Sequence, residues 1–437
     1  MHSKKRICLC ISVFILFFFC TAEAFTLDDA IRWALQNHHA IKKEKQLIRS
    51  WQSQKNAYKK EFFPALSIDY SYVRLGKQPY TKKPARMYVE DRDRYDMDVT
   101  LGGPLFTGFY LLSQYKWAGV NVEKQETIKE LTQLNVETKV KISYFNILYQ
   151  KRILETKREA VTQLKAHMQD AEKFYENGLI PLNDLLKSQV SYANALEERR
   201  KAESASIISQ AELQRLMGKK PTQEITDISD YKTFSLPQRL LIQWGEQERP
   251  ELKTLKLSVK ESKYLIKMRE SDYYPHVEYF TKYERSGYNP TASKNRYKYN
   301  SMWSGGINAS WDIFEWGKTR NEVQSEKAKS FSLQEAYLDM LDEIKMDIKR
   351  AYEDVAVSLG NIELARIALK QAKENYRITD LRYKEQVTTS TEVLDARTLL
   401  SQSEANYYGA LYGYFDALAR LERTVGKRDI ANKFIVW

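Results

Sequence analysis

"YENGLIPLNDLL" (residues 175–186) and "YKEQVTTSTEVL" (residues 383–394) are short breaks in two otherwise long helical patterns. In the first stretch, Gly178 suits the left-handed end of one helix and Pro181 suits the first turn of the next. In the second, Thr389 and Glu392 have the spacing of a capping box. Each stretch therefore predicts a sharp hairpin between a long helix and a second helix that returns alongside it.

The two stretches belong to a duplicated chain. They lie 208 residues apart, and this offset also places "PLFTGF" (104–109) on "DIFEWG" (312–317). Upstream, an offset of 211 places "FFP" (62–64) on "YYP" (273–275). An ordered series with one small insertion indicates two repeats, 25–235 and 236–437. In each repeat we expect a helix, a strand pair, a long helix, a tip and a return helix. In the first repeat the helix is at about 27–61, the strand pair at about 65–103, the tip at about 176–184 and the return helix at 182–217. In the second repeat they are at about 236–272, about 276–313, about 384–392 and 391–425.

The strand pairs are predicted from a change of periodicity from 3.6 to 2, as in "ALSIDYSYV" (65–73). Apolar and aromatic residues alternate with acidic or hydroxyl residues, which fits either a soluble sheet or strands between lipid and an aqueous lumen. Because the rest of the chain is helical and the loops between paired strands are long and charged, the membrane alternative is favoured. The residues predicted to face lipid are Leu66, Ile68, Tyr70, Tyr72, Tyr95, Met97, Val99, Leu101, Val277, Tyr279, Trp303, Ile307, Ala309 and Trp311.

The long helix of the second repeat shows a coiled-coil seam. Apolar residues recur at intervals of three and four, at Leu338, Leu341, Ile344, Ile348, Tyr352, Val355, Leu359 and Ile362. The stretch 317–383 would extend about 100 Å at 1.5 Å per residue, which is too long to pack on a globular core. The fold class is therefore mainly α with a small β part.

The N-terminus predicts a secretory signal peptide at 1–24. Lys4, Lys5 and Arg6 precede an apolar run, and residues 22–24 form an A-x-A cleavage site. A retained anchor and lipidation of Cys20 are the alternatives. All three cysteines lie in this segment, so the mature protein has none. Removal of three basic residues and one acidic residue lowers the formal net charge from +12 to +10, and export makes nucleic acid a poor partner.

Four strands per chain are too few to close a membrane barrel, because open sheet edges are not tolerated in lipid. The smallest closed membrane barrels have about eight strands, and an eight-stranded barrel has an interior filled by side chains. Two copies would therefore conduct little. Three copies would give twelve strands and an aqueous lumen, so we expect a homotrimer in the outer membrane lipid.

The chain resembles the TolC-like outer membrane efflux proteins over essentially its whole mature length. The family pattern Tyr-x-x-Gly-x-Arg-x-x-x-Asp-Val-Leu-Asp-Ala is represented by Tyr383, Gln386, Thr388, Glu392 and Asp395, with Gln386 and Thr388 as departures. The resemblance implies a trimeric twelve-stranded barrel continued by an α-helical tunnel. It also implies a periplasmic entrance at Asp184, Tyr383, Thr388, Glu392 and Asp395, and tips that contact an adaptor at Gly178, Leu179, Ile180, Pro181, Gln386, Val387 and Thr389.

The function implied is a passive exit duct of a tripartite efflux or type I secretion system, with a periplasmic adaptor (membrane fusion) protein and an inner-membrane pump as partners. Rings of Glu392 and Asp395 would concentrate cations, although helix N-terminal charge also explains both residues. No catalytic motif occurs, and His38, His39, His167 and His276 have no ligand-spaced partners, so neither an enzyme nor a metal or other cofactor is expected. The alternative is a periplasmic coiled-coil scaffold without a pore.

Overall fold

The fold is given by a computed structural model that describes residues 25–82, 85, 87–220 and 225–437. The expected signal peptide and Cys20 lie outside these ranges and stay predictions. Within the described ranges, none of the helices combines the length and apolar content that a bilayer crossing requires.

The helices form two series of the same order, and the chain is mainly α as predicted. The first series is α1 (Leu27–Asn37), α2 (His39–Lys60), α3 (Tyr110–Glu176) and α4 (Leu182–Met217). The second is α5 (Gln238–Glu248), α6 (Pro250–Glu270), α7 (Lys318–Lys384) and α8 (Ser390–Val425). Helices α3 and α7 each contain 67 residues, and α4 and α8 each contain 36.

One four-stranded sheet holds both predicted strand pairs. Its order is β1 (Ala65–Arg74), β2 (Asp93–Thr107), β3 (His276–Gly287) and β4 (Ser301–Ser310), with every neighbouring pair antiparallel. The β2–β3 pairing joins the two repeats. Two short pairs lie apart from this sheet: Tyr80–Thr81 with Met87–Tyr88, and Asp230–Tyr231 with Ile435–Val436.

The register places the predicted apolar residues on one face of this sheet. Ile68 lies opposite Val99, Val99 opposite Tyr283, and Tyr283 opposite Trp303. Directly paired residues point to the same side, and every second residue along a strand shares that side. All of the residues predicted to face lipid, except Trp311, therefore share one face, which we call the apolar face. Thr281 and Arg285 are its polar exceptions in β3.

Several boundaries differ from the expected ones. Strand β2 continues to Thr107, because its pairing with β3 continues to Thr107 opposite His276, across an irregularity between Pro104 and Phe106. Trp311 follows β4 instead of lying in it, and its indole N–H donates to the Tyr273 carbonyl at 3.2 Å. Leu338, expected in the coiled-coil seam, is 54% exposed.

The first helix of each repeat is also divided in two. Helix α1 stops at His38, whose extended backbone starts α2 and whose ring nitrogen accepts from the N–H of Ala40 at 3.2 Å. Helix α5 stops at Arg249, immediately before the proline that begins α6. The residue before a proline disfavours the helical region, so only the second break has a sequence signal.

The repeats share a packing detail at their corresponding positions. The ammonium group of Lys219 lies over the ring of Trp33, with 4.5 Å from Nζ to the ring centroid. Lys427 lies over Trp244 at 3.6 Å. The two lysines differ by the 208 offset and the two tryptophans by 211, which supports the duplication.

The apolar core lies where α1, α3, α4, α5, α7 and α8 meet. The rings of Phe145 and Phe415 pack there with centroids 5.5 Å apart. The buried hydroxyl of Tyr144 donates to the Thr226 carbonyl at 2.7 Å, and burial raises the pKa of this tyrosine. The core also holds an ion pair between Lys141 and Glu422, with 2.6 Å between Nζ and Oε1.

Candidate functional site

The first tip is a short turn between α3 and α4. Gly178 has φ +72°, and the N–H of Leu179 donates back to the Phe174 carbonyl at 2.8 Å. This six-residue hydrogen bond around a left-handed residue is a Schellman motif, which satisfies carbonyls that a helix end otherwise leaves free. Pro181 then precedes α4 in extended conformation, and Asp184 occupies the first turn of α4.

The second tip has the same backbone geometry without the glycine. Gln386 has φ +60°, and the N–H of Val387 donates to the Arg382 carbonyl at 2.8 Å. For a residue with a Cβ, the left-handed conformation costs about 1–2 kcal/mol. The second tip, where Gln386 replaces the glycine of the family pattern, therefore keeps the same turn but with a strained backbone.

This difference predicts opposite effects of substitution at the two tips. Gly178→Ala should destabilise the first hairpin by about 1 kcal/mol, and Gln386→Gly should be neutral or stabilise the second. A Cβ at residue 178 meets no atom within 4 Å, and Gln386 is exposed, so backbone strain is the main difference that each substitution changes. Thermal unfolding of the purified variants measures both effects. A loss of stability in Gln386→Gly equal to that in Gly178→Ala would contradict the strain argument.

Thr388 and Glu392, which are expected at the entrance, make contacts within the start of α8. The hydroxyl of Thr388 donates to the Glu392 carboxylate, and the Thr389 hydroxyl accepts from the Glu392 N–H at 3.5 Å. These contacts fix the first turn of the helix, where a carboxylate is favoured by the helix dipole. Among the described residues, Thr388 makes no hydrogen bond to the other hairpin.

Tyr383 lies inside the hairpin pair instead of on its surface. Its side chain is 2% exposed, and its ring packs on His167 and Phe174 with centroids 4.5 and 5.5 Å away. Its hydroxyl has no hydrogen-bond partner among the described residues. Burial, and then the nearby Asp184 carboxylate, raises the pKa of Tyr383 to about 12.

A buried chain of polar side chains joins the two hairpins. Nε2 of His167 in α3 lies 2.8 Å from Oγ of Ser390, the first residue of α8. Ser390 Oγ lies 3.0 Å from Oγ of Ser188 in α4, and Ser188 donates to the Asp184 carbonyl at 3.0 Å. We call His167, Ser188 and Ser390 the serine–histidine bridge. Sequence patterns did not single it out, because its members are 202 and 223 residues apart in the chain.

The outer surface of the tips is partly apolar. Leu179 is 53% exposed and Val387 is 65% exposed. An open cleft of about 510 Å³ follows the surface between α4 and α8, and its walls include Leu186, Lys187 and Asp395. Asp184 faces Lys187 at 3.9 Å on the same helix. The tips thus offer exposed apolar side chains beside charged ones.

The sheet face opposite the apolar face is charged, and we call it the polar face. Lys282 contacts Asp98 at 3.0 Å and Glu284 at 2.6 Å. The Ser286 hydroxyl donates to Asp96 at 2.7 Å. Carboxylates outnumber ammonium groups in this group of residues, which is compatible with an aqueous lumen that favours cations.

The sequence profile of outer membrane efflux proteins matches residues 30–219 and again residues 241–427. The chain belongs to the outer membrane efflux protein family. This efflux protein is accordingly an outer membrane channel for export, and the predicted TolC-like resemblance, fold class and location are confirmed. The two matches fall in the two predicted repeats. Family and fold are those of channel proteins.

Individual proteins are similar to this chain in sequence or in structure. The alkaline protease secretion protein AprF of Pseudomonas aeruginosa is 22% identical over 426 residues, covering 94% of this chain and 84% of AprF. The Campylobacter jejuni CmeC outer membrane channel is similar with a TM-score of 0.79 and 14% identity, covering 93% of this chain and 88% of CmeC. CusC, solved in work on folding and transmembrane channel formation, is similar with a TM-score of 0.78 and 15% identity, covering 92% of each chain. At these identities the structural likeness establishes the fold.

Proposed function

We propose that three copies of this efflux protein join edge to edge into a closed barrel. Strands β1 and β4 are the two free edges of the sheet, and all ten residues of β1 are exposed in the single chain. In hydrocarbon, unpaired N–H and C=O groups at such edges cost several kcal/mol each, so pairing of β4 with β1 of the next copy removes the penalty. Three four-stranded sheets give twelve strands, with the apolar face toward lipid and the polar face around water.

The helices would continue this barrel as a tunnel. Helices α3 and α7, at 67 residues each, reach about 100 Å from the sheet. Both tips then lie at the end far from the outer membrane, where cargo enters from the periplasm. The two free sheet edges are the observation that carries this proposal, because they leave the single chain incomplete in lipid.

The tips would be the contact surface for the adaptor and, through it, the inner-membrane pump. Their exposed apolar residues, Leu179 and Val387, are the kind that helical hairpins of a partner bury. Two similar proteins suggest what kind of cargo to test. AprF is named for secretion of a protease, and CmeC is described as an outer membrane channel. We infer a passive duct whose cargo, a polypeptide or a small molecule, is chosen by the pump.

Assembly and conduction together test the duct. The detergent-solubilised protein should have the mass of three chains by native mass spectrometry, and it should form stepwise ion channels in planar bilayers. A monomer that leaves bilayers intact would exclude the duct and favour the periplasmic scaffold.

The entrance carboxylates should set ion selectivity. Glu392 and Asp395 lie one turn apart on α8, and three copies would bring six carboxylates to the mouth of the tunnel. Glu392→Gln combined with Asp395→Asn should abolish most of the preference for cations, measured as the reversal potential in a salt gradient. Glu246→Gln with Glu248→Gln, an exposed pair on α5, is the matched control and should leave the potential unchanged. Equal potentials in both double variants would refute the role of the entrance carboxylates.

A further inference from the structure

The serine–histidine bridge has one hydrogen-bond arrangement that satisfies all of its contacts. The Ser188 hydroxyl donates to the Asp184 carbonyl, so its oxygen accepts from Ser390. Ser390 has thereby used its only proton, and its oxygen accepts from Nε2–H of His167. The bridge is therefore a directed chain from α3 through α8 to α4.

Because Nε2 of His167 already carries a hydrogen in this arrangement, a further proton must bind to Nδ1. Nδ1 is buried and has no hydrogen-bond partner among the described residues, and the His167 side chain is 3% exposed. If His167 were protonated, its Nδ1–H would be a buried donor without a partner, which is unfavourable. The positive charge would also lie beside the positive N-terminal end of α8, which is unfavourable too. Protonation of His167 is thus incompatible with the closely packed arrangement.

The charged groups around His167 only partly offset this effect. On its own helix, Asp170 faces Lys173 at 3.8 Å, and on α7, Asp380 binds Lys384 at 2.7 Å. On α4, Asp184 faces Lys187 at 3.9 Å, and α8 contributes the uncharged Ser390. The ring of Tyr383 on α7 packs on His167 with centroids 4.5 Å apart, and burial raises the pKa of this tyrosine to about 12, so it adds no charge. Each nearby carboxylate already has a lysine partner. Burial, as the largest cause, lowers the pKa of His167 below its usual 6.5, while Asp380 and Asp170 oppose the shift.

We propose that the serine–histidine bridge is a proton-sensitive lock, which holds the two hairpin tips together within each subunit and releases them when His167 is protonated. The proposal rests on the duct function and adds a control on its entrance. Any movement of the α7–α8 hairpin away from the α3–α4 hairpin must break the His167–Ser390 and Ser390–Ser188 contacts. His167 acts here as a positioning residue.

The direction of the pH effect follows from proton linkage. A released tip exposes His167, which then binds a proton with a pKa near 6.5, whereas the locked tip binds it only at lower pH. Above pH 6.5 His167 is neutral in both states, and the locked state keeps its full stability. Below pH 6.5 the equilibrium constant between the locked and released states falls by up to about tenfold for each pH unit. The fall ends at the lowered pKa that His167 has in the locked state.

The first test is conductance in planar bilayers between about pH 7.5 and about pH 5.5, on either side of the titration of histidine. The mean open time of the channels should rise on acidification. His167→Gln keeps a donor to Ser390 without the titration, and its open time should not depend on pH. His38→Asn is the matched control, because His38 is the other described histidine with a pKa lowered by burial, and asparagine also caps helices. It should keep the wild-type response.

The second test reports on the lock without any conduction. Residues 25–437 contain no cysteine, so Thr379→Cys in a protein made from these residues, at a position 8% exposed on α7, is a reporter of tip separation. Its rate of alkylation, divided by that of Tyr299→Cys at a position 91% exposed, should rise by up to about tenfold between the two pH values. Adding His167→Gln should remove the rise, and adding His167→Phe, which has no bond to Ser390, should give fast labelling at both pH values.

The two readouts separate failure of the lock from failure of the duct. The lock is refuted if the labelling ratio is equal at both pH values, even if the channels conduct. It is also refuted if the ratio depends on pH in His167→Gln as strongly as in the wild type. Trimers that never conduct overturn the duct, and labelling then decides the lock alone.

Discussion

Glu422→Ala should lower the free energy of unfolding by about 3–5 kcal/mol, the usual cost of removing one partner of a buried ion pair. The side chains of Glu422 and Lys141 are each 4% exposed, with 2.6 Å between Oε1 and Nζ. The second carboxylate oxygen accepts from the N–H of Ala431 at 2.9 Å, so the substitution also leaves a buried backbone donor unsatisfied. Thermal and denaturant unfolding of the detergent-solubilised protein measure the loss.

Two further variants separate the buried charge from the loss of contacts. The combination Lys141→Met with Glu422→Leu removes both charges and should recover much of the stability, because no unpaired ion remains. Glu374→Ala is the exposed control: it breaks a 2.7 Å pair with Arg377 on the surface of α7 and should give no measurable change. If Glu422→Ala lowered the free energy of unfolding no more than Glu374→Ala does, the Lys141–Glu422 pair would not contribute to the stability of the core.

The hairpins and the strand faces could be predicted because their signals are local. Gly178 and Thr389 determine the conformation of their own turns, as the left-handed residue after α3 and the N-cap of α8. Pro181 lies one residue before the first turn of α4 instead of in it, and the Glu392 carboxylate binds Thr388, so only the Thr389 half of the expected capping box forms. In the sheet, alternation fixes which residues share a face as soon as the strands pair in register. These features required no knowledge of distant contacts.

The missed features depend on contacts or on side chains without a strong local preference. The break at His38 has no glycine or proline, and only the histidine ring capping α2 explains it. The extension of β2 to Thr107 depends on its pairing with β3, which belongs to the other repeat. Trp311 continues the alternation of β4, but its indole is held by the Tyr273 carbonyl outside the strand.

The candidate site was predictable in position but not in its contacts. The family pattern marks Tyr383 and Thr388, yet it does not show that Tyr383 is buried on His167 or that Thr388 caps its own helix. Periodicity in a helix of 67 residues does not identify the partner of one polar residue on its buried side. The link between His167 and Ser390 therefore required the packed hairpins.

Replacement of Ile68 by arginine should prevent stable insertion of the barrel. Ile68 lies near the middle of β1 on the apolar face, directly opposite Val99. An arginine on the lipid face near the bilayer midplane costs about 2–4 kcal/mol in each subunit, and a trimer would carry three. Folding into lipid vesicles, followed by urea titration and by resistance of the barrel to protease, should show little inserted Ile68→Arg protein.

Ser67→Arg is the matched control, because the neighbouring residue points to the opposite face of the same strand. There the guanidinium would enter an aqueous lumen next to the carboxylates of the polar face, including Asp98 on β2, so insertion should be close to normal. The ion selectivity should shift away from cations instead. The reverse pattern, with Ser67→Arg failing to insert and Ile68→Arg inserting, would mean that the sheet closes with its apolar face inward. The pore would then be lined by Tyr72, Tyr95 and Trp303, and ions would not pass along the polar face.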